Sequence, residues 1–154
     1  MLKQTFSAVY DRFCFQFYRG IFDQVKEREG SLSAMEAISL EVIHMLGQPT
    51  IGQFADFLNI SQSNATYKVN SLIKKGYIER ENSQTDRREY HLILSDKYRT
   101  YREISGKYRD TVMERVAARF SAEDAAKFEE ILNVMASELM PETDVPANAA
   151  AGNH

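Results

Sequence analysis

Residues 50–95 read TIGQFADFLNISQSNATYKVNSLIKKGYIERENSQTDRREYHLILS, and this stretch decides the fold. Thr50 with Gln53 three positions on forms a capping box, and Ile51, Phe54, Ala55 and Leu58 recur at i, i+3, i+4 and i+7. A short amphipathic helix is therefore expected over Ile51–Leu58. Asn59-Ile60 is a turn. Ser61 caps a second helix, which ends in Lys74-Lys75-Gly76, basic residues in the last turn followed by a C′ glycine. Residues 77–81 and 89–94 read as strands, Tyr90, Leu92 and Leu94 alternating with His91 and Ile93, and 82–88 is a polar, turn-prone loop between them. Helix, tight turn, helix and hairpin in that order describe a winged helix-turn-helix.

Outward from this stretch, the chain supplies helices. Phe6, Tyr10, Phe13, Phe17, Ile21 and Val25 form a continuous stripe that predicts a first helix over 5–27. Phe15, Tyr18 and Phe22 fall off that stripe, so the helix needs cover from two sides, and a partner subunit is a natural second cover. Ser33 and Glu36 make another capping box, opening a helix with Ala37, Leu40, Ile43 and His44 at helical spacing and Gly47 just past its end.

Beyond the hairpin, Ser95 caps a helix of roughly 24 residues, with Tyr98, Tyr101, Ile104, Tyr108, Val112 and Val116 along one face. Ser121 opens a last helix striped by Phe128, Ile131, Leu132, Met135 and Leu139, which Pro141 stops. The expected architecture is mainly α with a small β-hairpin wing. It is a single domain over 1–140, with a winged helix-turn-helix at 33–95, dimerisation helices at 5–30 and 96–140, and a disordered tail at 141–154.

The totals narrow the function. The 154 residues, 44% hydrophobic and 27% charged, suit one globular domain. The lone Cys14 excludes an internal disulfide and, with no secretory signal in the first residues, predicts a cytoplasmic protein. No apolar run is long enough to span a membrane. His44, His91 and His154 are scattered, so no metal site is expected, nor any cofactor. There is no phosphate-binding glycine loop and no nucleophile–base pair, so an enzyme is not expected. Net charge is −3, yet residues 61–91 hold Lys68, Lys74, Lys75, Arg80, Arg87 and Arg88 against Glu79, Glu81, Asp86 and Glu89. The helix-hairpin unit is thus +2 while the remainder as a whole is −5, a distribution suited to site-specific binding of double-stranded DNA.

Projected at 100° per residue, the second helix of that unit has two faces. Ala65, Val69, Leu72 and Ile73 share one sector and must pack on the domain. The other presents Ser63, Asn64, Tyr67, Asn70, Ser71 and Lys74, with Thr66 and Lys68 on the flanks and Ser61 and Gln62 at the N-terminal end. Hydroxyls and amides exchange hydrogen bonds with bases and phosphates, and lysine neutralises phosphate. No acidic residue occurs between Asp56 and Glu79 to repel a phosphate backbone. The competing reading is a solvated polar face. In the wing, Arg87 and Arg88 divide two roles between them, one reaching into a minor groove and the other held by Asp86. Which takes which role stays open.

With these residues the chain resembles the MarR-type winged-helix transcription factors. The matching segments are TIGQFADFLNISQSNATYKVNSLIKKGYIER and DRREYHLILS, the second corresponding to an Asp-x-Arg wing signature running into a strand. The resemblance implies a homodimer joined through its terminal helices, binding a palindromic site, usually as a repressor. It also implies release from DNA when a small aromatic or lipophilic compound enters the crevice between dimer helices and winged domain. Tyr67 stands where a basic residue is common, and Ser95-Asp96-Lys97-Tyr98 replaces a Thr-x-x-Gly.

For such a ligand, Phe17, Met35, His44, Tyr101 and Tyr108 are candidate pocket residues, a plain core or dimer interface being the alternative. Cys14, in Cys-Phe-Gln-Phe-Tyr, resembles the cysteine of the family's peroxide-sensing branch, against the reading of a buried inert thiol. A third reading, from another class, is a protein-interaction module that kept the winged fold without binding DNA.

Overall fold

The computed structural model describes residues 1–24, 31–82 and 89–143. In chain order these form α1 (Leu2–Gln24), α2 (Ala34–Leu46), α3 (Ile51–Leu58), α4 (Gln62–Lys74), β1 (Ile78–Asn82), β2 (Tyr90–Leu94), α5 (Asp96–Arg119) and α6 (Ala122–Glu138). Among the described residues the fold is the expected one, mostly helical with one antiparallel hairpin.

The helix starts follow from local side-chain chemistry. Ser33 and Glu36 close a reciprocal box at the start of α2, as Thr50 and Gln53 do for α3. Ser61, Ser95 and Ser121 cap α4, α5 and α6. Each cap satisfies backbone N–H groups that have no partner inside the helix. The ends are equally local. Gly47 terminates α2 in the left-handed region at φ 64°. Asn59 does the same for α3 at φ 52°, a conformation that asparagine tolerates better than most residues. Gly76, at φ 79°, closes α4 in a Schellman arrangement, its own N–H donating to Ile73 O and that of Tyr77 to Leu72 O.

Several boundaries differ from the sequence expectation. Helix α1 starts at Leu2 rather than residue 5, because Lys3 and Gln4 carry no breaker and the Thr5 hydroxyl bonds back to Met1 O. The far end of the expected 5–27 helix, Val25 included, lies outside the described residues, as does 144–154 of the tail. The hairpin pairs Ile78 with Leu94 through Asn82 with Tyr90, so each strand begins one residue later than expected. Tyr77 instead serves the α4 terminus, and its carbonyl accepts from Ser95 N.

The core lies in the middle of the chain. Leu40 and Ile43 of α2, Phe54 of α3, Ala65, Val69 and Leu72 of α4, Ile78 of β1, Leu92 of β2 and Tyr98 of α5 are fully buried together. A bridge between Thr50 and His91, with Leu92 N donating to Pro49 O, stitches the segment before α3 onto the outer edge of β2. Helix α5 joins this core only through its first turns. Tyr98 and Tyr101 are buried, whereas Ile104, placed on the same stripe by sequence, faces outward.

The outer helices are different in kind. No residue of α6 is fully buried, and α1 buries only Ile21 among its large apolar residues while Phe6, Tyr10, Phe15, Tyr18 and Phe22 stand exposed. On α6, Phe128, Ile131, Leu132 and Leu139 are exposed as well. No helix among the described residues is long and apolar enough to cross a membrane.

Candidate nucleic-acid interface

Helix α4 is anchored by its buried side and its C-terminal end. Ala65, Val69 and Leu72 are wholly inaccessible and Ile73 packs against the same cluster. Burying these four apolar side chains is worth roughly 1.5–3 kcal/mol for each of the larger ones. At the C-terminal end, Glu36 of α2 gathers three donors, the Lys75 ammonium at 2.7 Å, the Ser71 hydroxyl at 2.6 Å and the Ser33 backbone N–H at 2.7 Å. Burial works to raise the Glu36 carboxyl. The bonds from Lys75, Ser33 and Ser71 outweigh it and bring the group down to about 2. Lys75 also donates to Ser31 O. Ser71, placed on the solvent sector by projection, is thus turned to Glu36. Its hydroxyl is spent on holding the helix.

What remains outward is a straight stripe. Ser63, Tyr67, Asn70 and Lys74 follow one another at i, i+4, i+7 and i+11, and all four are exposed, Tyr67 by 77%. Ser61, Gln62 and Asn64 are exposed around the first turn, and the Ser61 hydroxyl, which accepts from Asn64 N, lies 3.2 Å from that of Ser63. The flanking Thr66 and Lys68 are half-buried, and the Thr66 hydroxyl donates back to Gln62 O. Lys68 and Lys74 bring positive charge to a helix without a carboxylate. The surface can donate to and accept from base edges while attracting phosphate.

The hairpin reaches this helix through a residue that the sequence reading counted only as charge. Arg80 of β1 lays its guanidinium over the Tyr90 ring, 4.5 Å from the centroid, and donates to the Asn70 carboxamide oxygen. The signal for it was available. Residues directly opposite in an antiparallel pair share a face, so Arg80, paired with buried Leu92 and two positions after buried Ile78, sits on the helix side of the hairpin. Asp86, Arg87 and Arg88 lie outside the described residues.

The candidate pocket residues are partly brought together. Phe17 and Tyr108 line a cavity of ≈ 220 Å³ between α1, α2 and α5, along with Phe13, Cys14, Gln16, Glu41, Arg102 and Arg109. The other three are elsewhere. Met35 is exposed on α2, Tyr101 is buried against Tyr77 and Tyr98, and the His44 ring packs 5.9 Å from that of Tyr98. Burial, with Arg102 and Arg109 nearby, lowers the His44 pKa and favours a neutral ring. Across the cavity wall Arg102 pairs with Glu41 at 2.9 Å, and Glu41 also accepts from the Tyr98 hydroxyl at 3.2 Å. Cys14 is half-buried, and its interaction with the Tyr10 phenol raises the Tyr10 pKa.

The capped helices, the short turn between α3 and α4, the exposed polar stripe and the hairpin beside it define a winged-helix fold. Residues 31–89 match the family model described as the MarR family. The fold extends the likeness to the flanking helices. FabT of Streptococcus pneumoniae, solved in complex with DNA, is 22% identical, with 90% of this chain and 94% of that one aligned at a TM-score of 0.58. The transcriptional regulator Tm0710 of Thermotoga maritima is 23% identical, covering 90% and 96% at a TM-score of 0.57. A MarR family protein of Bacillus stearothermophilus is 16% identical, covering 90% and 93% at 0.63. No curated protein matches the chain.

Proposed function

We propose that the protein is a sequence-specific DNA-binding transcriptional regulator, acting as a homodimeric repressor on a palindromic operator. The observation that carries this reading is the exposed stripe of Ser63, Tyr67, Asn70 and Lys74 on a helix whose opposite face is fully buried and whose surface holds no carboxylate. A merely solvated helix has no reason to exclude acids. The DNA complex of FabT, similar in fold, supports the same direction. Ser61, Gln62, Ser63, Asn64, Tyr67 and Asn70 read bases and sugar-phosphate edges, Thr66, Lys68 and Lys74 contact backbone, and Arg87 and Arg88 of the wing take the neighbouring groove. The exposed apolar faces of α1 and α6 supply the dimer contact, since large contiguous apolar patches mark association surfaces.

The test is fluorescence anisotropy with duplexes flanking the protein's own gene. A specific complex on an inverted repeat with half-sites about one turn apart is expected, weakening steeply between roughly 50 and 200 mM salt. Equal affinity for every duplex removes the reading.

The cavity beneath α1 supports a ligand-released form of this regulator. The aromatic side chains of Phe13, Phe17 and Tyr108 in its lining suit a small aromatic or lipophilic compound. Cys14 on the same cavity keeps a thiol-responsive trigger as the second reading, which thiol labelling of the folded protein decides.

A further inference from the structure

Asn70 occupies the middle of the exposed stripe, yet its carboxamide is already engaged. Arginine carries only donors, so the group facing Arg80 is the Asn70 oxygen, and the two N–H donors of the amide are directed away from the hairpin. Arg80 is itself held in place. The ladder pairs it with Leu92, and its guanidinium rests on the Tyr90 ring. Of the described residues on the stripe, Asn70 is the one that β1 reaches with a formal positive charge.

We propose that Arg80 is the positioning residue that sets the base preference of Asn70. With Arg80 on its oxygen, Asn70 acts as a donor and selects an acceptor edge, guanine before adenine, at the base pair it meets. This rests on the DNA-binding reading above. A free asparagine pairs with adenine by accepting from the N6 amino group and donating to N7. Here one lone pair of the oxygen that would accept is taken by a guanidinium, whose positive charge disfavours approach of the adenine amino donor to the other. The O6 and N7 acceptors of guanine meet the amide N–H groups without that conflict, and the adjacent positive charge favours them further.

The experiment is operator selection from a randomised duplex library, run with the wild-type protein, Asn70→Ala, Arg80→Met and Arg80→Lys. Arg80→Met keeps an apolar stem on Tyr90 and removes the donors, while Arg80→Lys keeps a charged donor. Wild type is expected to select guanine at one base pair in each half-site, and Asn70→Ala to flatten that base pair alone. Arg80→Met shifts the same base pair toward adenine by roughly tenfold, and Arg80→Lys retains guanine. Thermal melts of both arginine variants confirm that folded protein is compared, as an exposed position allows. Adenine at that base pair in wild type overturns the proposal. So does a uniform loss of affinity with a shallower salt slope in Arg80→Met, the signature of a phosphate contact. A wild-type protein that selects no sequence at all is a separate result, which removes the DNA-binding reading and this inference with it.

Discussion

The ammonium of Lys75 lies 2.7 Å from the carboxylate of Glu36, which ties the C-terminal end of α4 to the first turn of α2. The pair is largely withdrawn from water, and the same carboxylate accepts from Ser71 and Ser33. One acidic side chain therefore sets where α4 lies against the core and closes the α2 capping box.

Acid should loosen this junction. The Glu36 pKa is depressed to about 2 in the folded protein from 4.5, so its contribution is complete above the unfolded value and is lost as pH falls from there toward 2. The contribution is about 2 kcal/mol after allowance for solvent screening. Glu36→Gln keeps a side chain able to close the box but cannot pair as a charge. Urea melts at several pH values should show wild type losing stability between pH 4.5 and 2 more steeply than Glu36→Gln. Parallel curves would show that Glu36 does not carry the effect.

Phe54 and Phe57 share α3 and differ in what surrounds them, the first fully buried and the second 57% exposed. Phe54→Ala should cost about 3–5 kcal/mol through lost transfer energy and a cavity, and Phe57→Ala within about 0.5 kcal/mol. Comparable losses in chemical denaturation would contradict the packing of α3.

Gly76 holds φ 79° at the end of α4, where its N–H donates to Ile73 O. A Cβ there would meet only the Lys97 Cδ at 3.9 Å, so the cost of Gly76→Ala is conformational rather than steric. A loss of about 1 kcal/mol is expected. Gly20, with open space around it and a helical backbone, is the control, and Gly20→Ala should stabilise by about 0.5–1 kcal/mol. A reversed order in thermal melts would refute the assignment of the helix end.

The apolar face of α6 provides the test of assembly. Ile131 and Leu132 are both exposed on a helix with no fully buried residue of its own. Ile131→Glu with Leu132→Glu should convert a dimer to a monomer in sedimentation equilibrium with little change in the core, and should weaken binding to a two-half-site duplex. A wild-type monomer at micromolar concentration would remove the homodimer from the proposed function.

Much of this molecule was legible in its sequence because the signals are short in range. A cap at Ser61, a box at Thr50 and Gln53, a Schellman glycine at Gly76 and the spacing of Ala65, Val69 and Leu72 each depend on residues a few positions apart. Those interactions form wherever the local chain is helical, so element order, and with it the winged helix, follows from the residues themselves. The division of α4 into a buried and a presented face was equally readable from its period.

Tertiary structure decided what those faces do. Ser71 and Glu36 are 35 positions apart, and only helix packing turns a hydroxyl projected toward solvent into an anchor. Arg80 reaches Asn70 because the hairpin register puts it on the helix side. Phe17 and Tyr108 meet at one cavity while Met35, His44 and Tyr101 do not, since α5 leaves the core after its first turns and carries Tyr108 out toward α1. Periodicity states which side of an element is apolar. It does not state which neighbour that side meets, because that depends on the crossing of elements far apart in the chain.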